Sequence, residues 1–154
     1  MKTFEPGFFA LENFIVKQET FDAREPHSGE PWHVAYNVND PFFRIMGASM
    51  VSVLENNPDH PFVFHLFTDG YSRDNAEKIR QLAEKWHCRC TLYELDMEPF
   101  QDFHVKVARF SRITYGRLYM AKVLKKETDR FLYLDADTMV IRPLEELFAL
   151  PMEG

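Results

Sequence analysis

The sequence is poor in cysteine, and the two cysteines it has are badly placed for a disulfide. Cys88 and Cys90 are two residues apart. A bond between them would close a very short, strained loop. We therefore predict free thiols and a reducing compartment. Metal binding by the His-Cys-Arg-Cys stretch at 87–90 remains a minor alternative, because no second Cys/His cluster completes a site.

Long apolar runs and an excess of basic charge are also missing. No run approaches the roughly 18 apolar residues of a transmembrane helix. The N-terminal stretch is interrupted by Glu5, Pro6 and Glu12, which is untypical of a signal peptide. The formal net charge of −6 argues against nucleic acid as a partner. We expect a cytoplasmic protein, with peripheral contact at the inner face of the cytoplasmic membrane left open.

What is present is an alternation of strand-like and helix-like segments. This order favours an α/β fold, a Rossmann-like and mostly parallel sheet with helices on both faces. We assign residues 1–30 to an N-terminal extension ending in a linker and residues 31–154 to one domain. The strands are predicted at 32–38, 62–67, 90–95 and 131–135, and the helices at about 41–54, 72–86, 111–125 and 144–150.

Polar residues follow three of the predicted strands. These residues are Asn39-Asp40, Thr68-Asp69 and the pair Asp135 and Asp137. In parallel sheets, ligands bind outside the carboxyl ends of the strands, near the point where the strand order reverses. The sequence therefore predicts a site at this edge of the sheet.

The carboxylate pair follows the apolar run at 131–134. Asp135 and Asp137 are two residues apart, so on an extended segment their side chains can converge. Carboxylate oxygens suit Mg²⁺ or Mn²⁺ better than zinc, and two ligands leave positions open for water and substrate phosphates. An acidic turn that caps the next segment is the alternative. The segment 104–130 has eight basic and two acidic residues. A solvated helix face explains most of them, and attraction of a phosphorylated ligand or an anionic surface is the functional alternative.

At the level of motifs, the sequence resembles family 8 glycosyltransferases. Residues 133–140, Tyr-Leu-Asp-Ala-Asp-Thr-Met-Val, are similar to the family's Asp-x-Asp signature. Residues 113–118 resemble its Thr-Tyr-x-Arg-Leu helix start, residues 34–36 its first strand and residues 56–58 the end of its first helix. The likeness covers about residues 32–150 and is greatest to bacterial lipopolysaccharide core glucosyl- and galactosyltransferases.

The resemblance implies a GT-A fold and a retaining enzyme. Such an enzyme transfers glucose or galactose from UDP-glucose or UDP-galactose to a lipopolysaccharide core acceptor. It implies that Asp135 and Asp137 bind Mn²⁺ or Mg²⁺ on the diphosphate, that Asp135 also lies near the ribose, and that Arg117 contacts the donor. No residue is predicted as a nucleophile. The full predicted donor-binding set is Ala35, Tyr36, Asn39, Asp40, Arg117, Asp135, Ala136 and Asp137.

Two departures from the family pattern shape these expectations. The family's first strand ends on an aspartate that contacts the base, and Asn39 is taken as its counterpart. The family's late histidine, a third metal ligand, has no match, because none of the six histidines follows Asp137. We therefore expect the donor-binding half of an apparently truncated GT-A enzyme, with apolar surface that favours self-association.

Two other functions compete with this interpretation. A domain that binds a nucleotide sugar without turnover would carry the same motifs. A haloacid dehalogenase-type phosphatase also has a strand ending in Asp-x-Asp, but Met139 replaces its usual Thr or Val. That signature also belongs on a first strand rather than a fourth.

Overall fold

A computed structural model describes residues 14–101 and 111–152. Five strands form one sheet in the order β1-β4-β3-β2-β5. The strands are β1 (Ile15–Asp22), β2 (Trp32–Val38), β3 (Phe62–Thr68), β4 (Arg89–Leu95) and β5 (Leu132–Tyr133). The helices are α1 (Phe43–Glu55), α2 (Arg73–Trp86), α3 (Arg117–Leu124) and α4 (Glu145–Phe148).

The sheet is mostly parallel, as predicted. β2 pairs in parallel with β3 on one side and with β5 on the other, and β3 pairs in parallel with β4. Only β1 is antiparallel, against β4. From β2 the chain builds outward through β3 and β4, and β5 then returns to the other side of β2. The strand order therefore reverses beside β2, which is where a ligand crevice is expected in such sheets.

β1 corrects part of the assignment of residues 1–30 to an extension. Residues 15–22 pair with β4 along their length, from Ile15 opposite Leu95 to Asp22 opposite Arg89. The strand has few apolar residues, and most of its side chains are exposed or half-buried. It lies at the sheet edge and is defined by backbone pairing with a distant strand, so local hydrophobic periodicity does not reveal it.

Helices cover both faces of the sheet, as the fold prediction requires. On one face α1 and α2 pack on β2, β3 and β4, with Met46, Met50 and Ile79 in the core. On the other face Met120 and Leu124 of α3 pack against Phe67 and other sheet residues. Ile113 and Tyr133 pack on this same face and also line the cleft described below.

The predicted helices agree best where local signals are strong. α2 begins after Ser72, whose hydroxyl accepts a hydrogen bond from the Asn75 amide at 3.2 Å, as expected of an N-cap. α3 is shorter than predicted, because residues Arg112–Gly116 form a 3₁₀ turn before it. β5 is also shorter than predicted and ends at Tyr133, before the first aspartate.

The two cysteines are free, as predicted. Both are also buried, and their sulfur atoms lie 3.9 Å apart. Within residues 14–101 and 111–152, no helix combines the length and apolar character needed to span a bilayer.

Candidate functional site

An open cleft of about 630 Å³ lies at the carboxyl ends of β2 and β5. It occupies the point where the strand order reverses. Its walls come from the end of β2, the turn before α3 and the loop after β5. The lining residues are Asn37, Val38, Asn39, Phe42, Ser111, Ile113, Thr114, Arg117, Tyr133, Asp135, Ala136 and Asp137.

Asp135 and Asp137 lie on a turn, which differs from the extended segment that the sequence predicted. The backbone carbonyl of Asp135 accepts hydrogen bonds from the Thr138 amide at 3.1 Å and the Thr138 hydroxyl at 2.7 Å. Both aspartates are exposed at the cleft. Hydrogen bonds across the turn, rather than strand alternation, thus present both carboxylates to one space.

Side chains in α1 and just after it hold the chain that follows this turn. Ser52 accepts a hydrogen bond from the Val140 amide at 2.9 Å, and the Asn56 amide group donates to the Val140 carbonyl, also at 2.9 Å. The Asn57 side chain accepts from the Leu144 amide at 2.8 Å. These side chains satisfy backbone groups that a neighbouring strand would otherwise satisfy. They therefore anchor the segment that follows the two aspartates.

Arg117 begins α3, lines the cleft and contacts the ring of Tyr133. Its guanidinium carbon lies 5.4 Å from the centre of the Tyr133 ring, and its Nε donates to the Thr114 carbonyl at 3.0 Å. The Tyr133 hydroxyl donates to Oδ1 of Asp135 at 2.7 Å. Burial, together with this hydrogen bond, raises the pKa of Tyr133 to about 12. The phenol therefore remains a donor at neutral pH.

Two asparagines at the end of β2 offer unused acceptors to the cleft. Asn37 donates from Nδ2 to the Ile113 carbonyl at 2.6 Å. Within the described residues, Oδ1 of Asn37 and Oδ1 of Asn39 are buried and have no hydrogen-bond partner. A buried acceptor without a partner is uncommon in proteins. Both oxygens are therefore candidates to accept a hydrogen bond from a ligand.

Asn37 was missed in the sequence, where Asn39 alone was taken as the base-contacting position. The signal was the alternation of β2, because Asn37 shares a face with Ala35. Tyr133, Ser111 and Thr114 were also missed as lining residues. Tyr133 and Thr114 had local signals, because Tyr133 opens the stretch 133–140 and Thr114 lies in the motif at 113–118.

Three residues of the predicted donor-binding set do not line the cleft. Ala35 is fully buried, and its carbonyl accepts from the Leu134 amide at 3.0 Å, which fixes the end of β5. Tyr36 is buried on the opposite face of the sheet, with its hydroxyl 2.8 Å from that of Ser49. The other predicted members, Asn39, Arg117, Asp135, Ala136 and Asp137, are among the lining residues.

Asp40 is the third predicted residue that does not line the cleft, and it contacts the start of α2 instead. Its carboxylate accepts from the Ser72 amide at 2.8 Å and from the Asn75 side chain at 2.7 Å. Partial burial opposes ionisation, but these hydrogen bonds outweigh it and hold the pKa of Asp40 below its usual value. The polar pair Thr68-Asp69 is likewise absent from the lining, since β3 lies one strand further from β5.

Two places offer ligands to a metal ion. Asp135 and Asp137 are exposed carboxylates, and within the described residues Asp137 has no hydrogen-bond or ion-pair partner. Potential ligand atoms of His33, His65 and Glu127 also lie within 4.8 Å of one another. In that second cluster the imidazoles bond each other at 2.9 Å, and Glu127 forms an ion pair with Arg89.

The chemistry of the donors favours the aspartate pair for a hard cation. Carboxylate oxygens in an open cleft suit Mn²⁺ or Mg²⁺ and leave room for water and phosphate. The histidine cluster is already satisfied by its own contacts, including a hydrogen bond between His65 and the Tyr93 hydroxyl at 3.1 Å. A cation there would also lie beside the Arg89 guanidinium.

The chain is similar to known glycosyltransferases. It is 31% identical over 137 residues to a lipopolysaccharide 1,3-galactosyltransferase of Salmonella typhimurium, covering 88% of this chain and 40% of that protein. It is 31% identical over 148 residues to a lipopolysaccharide 1,2-glucosyltransferase of Escherichia coli K12, covering 96% of this chain and 44% of that one. The chain thus spans less than half the length of these relatives.

Among solved structures, the fold is similar to that of the galactosyltransferase LgtC in complex with donor and acceptor sugar analogs. The TM-score is 0.65 at 24% identity, covering 77% of this chain and 42% of that one. This likeness shows the GT-A fold. The family model described as Glycosyl transferase family 8 matches residues 33–154. This match, which covers most of the chain, shows that the chain belongs to glycosyl transferase family 8.

Proposed function

We propose that this chain supplies the donor site of a retaining hexosyltransferase. The enzyme would transfer glucose or galactose from UDP-glucose or UDP-galactose to a lipopolysaccharide core oligosaccharide. The observation that carries the proposal is the cleft at the strand-order reversal, where Asp135 and Asp137 face the same space as Arg117. A cation-binding pair beside a fixed positive charge suits a diphosphate.

The diphosphate end of the donor would bind at the turn after β5. Asp135 and Asp137 would bind Mn²⁺ or Mg²⁺, and their exposure and hard oxygen donors fit such an ion. The bound ion would supply Lewis-acid stabilisation of the charge that develops on the UDP leaving group. Arg117 would donate hydrogen bonds to phosphate or sugar oxygens, since its terminal nitrogens have no partner among the described residues.

The nucleoside end would bind near the end of β2. Oδ1 of Asn37 and Oδ1 of Asn39 are buried acceptors that a base or ribose donor could satisfy. Asn37 is held in place by its hydrogen bond to the Ile113 carbonyl at 2.6 Å. This arrangement adds Asn37 to the donor-binding residues that the sequence predicted and leaves Asn39 among them.

The names of the relatives support a choice of acceptor and sugar. Both bacterial relatives are named as lipopolysaccharide transferases, one for galactose and one for glucose. We therefore propose the lipopolysaccharide core as the acceptor. Peripheral contact with the cytoplasmic membrane would accompany such an acceptor.

Binding without turnover is the second candidate. It is favoured by the ligand set, because Asp135 and Asp137 are the only acidic or histidine side chains among the described residues that line the cleft. Two protein ligands would hold the ion and the diphosphate more loosely than three. A binding module of this kind would show metal-dependent affinity for UDP and no release of UDP from UDP-sugars.

A turnover assay separates the two candidates. The chain is incubated with Mn²⁺, a lipopolysaccharide core acceptor and UDP-glucose or UDP-galactose, and UDP release is measured. A hexosyltransferase releases UDP with one sugar preferred, and NMR of the product shows the anomeric configuration of the donor. An inverted product would contradict retention. Metal-dependent UDP binding without release would identify the binding module.

The assay has a matched pair of variants. Arg117→Ala should lower the rate and the affinity for the UDP-sugar. Arg112→Ala should leave both near their original values, because Arg112 is exposed in the same basic segment and is not among the lining residues. Equal effects of the two substitutions would point to the general charge of the segment rather than to a site contact.

A further inference from the structure

Tyr133 contacts residues of both charges in the cleft. Its ring faces the Arg117 guanidinium, whose carbon is 5.4 Å from the ring centre. Its hydroxyl donates to Oδ1 of Asp135 at 2.7 Å. Tyr133 is half-buried and its backbone pairs with Ala35 of β2, so the sheet fixes its position.

The opposite charges in this cleft do not pair with one another. An arginine near two exposed carboxylates would ordinarily form a forked ion pair with one of them. Among the residues that the structure describes, Arg117 forms no ion pair, and the only hydrogen bond of its side chain is from Nε to the Thr114 carbonyl. Among these described residues, the Asp137 carboxylate has no hydrogen-bond or ion-pair partner. The Asp135 carboxylate accepts one hydrogen bond, from the Tyr133 hydroxyl.

Such an ion pair would compete with a metal–diphosphate ligand. The ligand needs free carboxylate oxygens for its cation and a free guanidinium for its phosphates. An arginine closed onto Asp135 would occupy both at once. Keeping the two charges apart therefore preserves binding capacity before the ligand arrives.

We propose that Tyr133 is a positioning residue that keeps Arg117 from pairing with Asp135 and Asp137. The ring face attracts the guanidinium, while the hydroxyl occupies one oxygen of Asp135 and leaves the other free. The inference rests on the proposed function, because it concerns access to the same metal–diphosphate site.

The inference makes a prediction for Mn²⁺ alone, without nucleotide. Tyr133→Leu removes the ring and the hydroxyl, so Arg117 is free to pair with the carboxylates. Mn²⁺ affinity should fall about two- to fivefold, the range set by an exposed Arg–carboxylate pair. Tyr133→Phe keeps the ring and loses only the hydroxyl, so its loss should be smaller. Titration calorimetry or the EPR signal of Mn²⁺ measures both.

A second substitution tests whether the loss of Mn²⁺ affinity depends on Arg117. In an Arg117→Ala background the competing charge is gone, so Tyr133→Leu and Tyr133→Phe should no longer weaken Mn²⁺ binding. A purely structural role of Tyr133 would give the same loss with or without Arg117. That result, or no loss from either substitution in the original background, overturns the inference. If the leucine variant does not fold, the phenylalanine variant decides the matter in the same two backgrounds.

The outcome is distinguishable from failure of the proposed function. The unsubstituted chain must first bind Mn²⁺ with UDP more tightly than either alone. Absence of that binding overturns the proposed function and this inference with it. Normal binding by the unsubstituted chain, with no coupling between Tyr133 and Arg117, overturns the inference alone.

Discussion

Replacing Gly116 with alanine should destabilise the protein relative to the same replacement at Gly47. Both glycines are helical or at a helix start, and Gly116 has φ −55° and ψ −30°, so alanine fits the backbone at either position. A Cβ at Gly116 would lie 2.9 Å from Leu95 Cδ1 and 3.0 Å from Asn37 Oδ1. A Cβ at Gly47 would meet nothing within 4 Å.

The magnitudes follow from two opposing effects. Alanine in place of a helical glycine stabilises by roughly 0.5–1 kcal/mol. Overpacking a core position costs about 1–3 kcal/mol. Gly47→Ala should therefore raise the free energy of unfolding by up to about 1 kcal/mol. Gly116→Ala should lie about 1–3 kcal/mol below it, because only that site carries the clash.

Urea denaturation of the two variants measures this difference directly. Gly116→Ala should also weaken UDP binding, since relieving the contact moves Asn37, which lines the cleft. If both variants are stabilised equally, the close packing of the α3 start against the end of β2 is refuted, and with it the account of how Asn37 is positioned.

Three further substitutions test separate parts of the structure. Ser52→Ala should cost about 1–3 kcal/mol in thermal unfolding, because the Val140 amide loses its acceptor; an unchanged melting temperature would contradict this anchoring. Burial lowers the pKa of His65 from 6.5 to about 3. Between these pH values the unfolded chain binds more protons than the folded chain, so the free energy of unfolding should fall by up to about 1.4 kcal/mol per pH unit as the pH drops below 6.5. His65→Leu should reduce this pH dependence of the free energy of unfolding, measured by denaturant titration at several pH values. An unaltered pH dependence would mean that other groups cause it. Arg117→Ala should weaken UDP-sugar binding by about 1.5–3 kcal/mol and change stability by less than about 0.5 kcal/mol; a large stability loss with normal binding, beyond that of Arg112→Ala, would make it structural.

The elements that the sequence predicted well are those with local signals. α2 has an apolar stripe that includes Ala76, Ile79 and Ala83, all buried, and a capping serine at the expected position. β3 is a continuous apolar run that is buried along its length. Both patterns depend on near neighbours in the sequence, so periodicity and capping chemistry suffice to find them.

The misassigned elements depend on distant partners. β1 is a strand because β4 pairs with it, and its own residues Lys17, Gln18 and Glu19 carry no apolar pattern. β5 is short because the chain after it turns between Asp135 and Thr138, and the side chains of Ser52 and Asn56 then bond to Val140. Neither outcome is encoded in a local window, since backbone pairing fixes both across the fold.

The candidate site was predictable in its charged residues and less so in its neutral ones. Asp135, Asp137 and Arg117 belong to motifs that stand out in one sequence. Asn37 and Tyr133 have weaker local signals, and their proposed roles become visible only when the fold brings an unpaired oxygen or a shared ring contact into the cleft.

The central claim is that Asp135 and Asp137 bind a divalent ion that holds a nucleotide diphosphate. Its most direct measurement is the melting temperature with UDP, with Mn²⁺ and with both. Together they should raise it more than the two separate effects combined. The Asp135→Asn, Asp137→Asn double variant should keep the fold and lose this synergy, while Asp59→Asn, an exposed aspartate outside the cleft, should retain it. Equal synergy in the double variant would contradict the account.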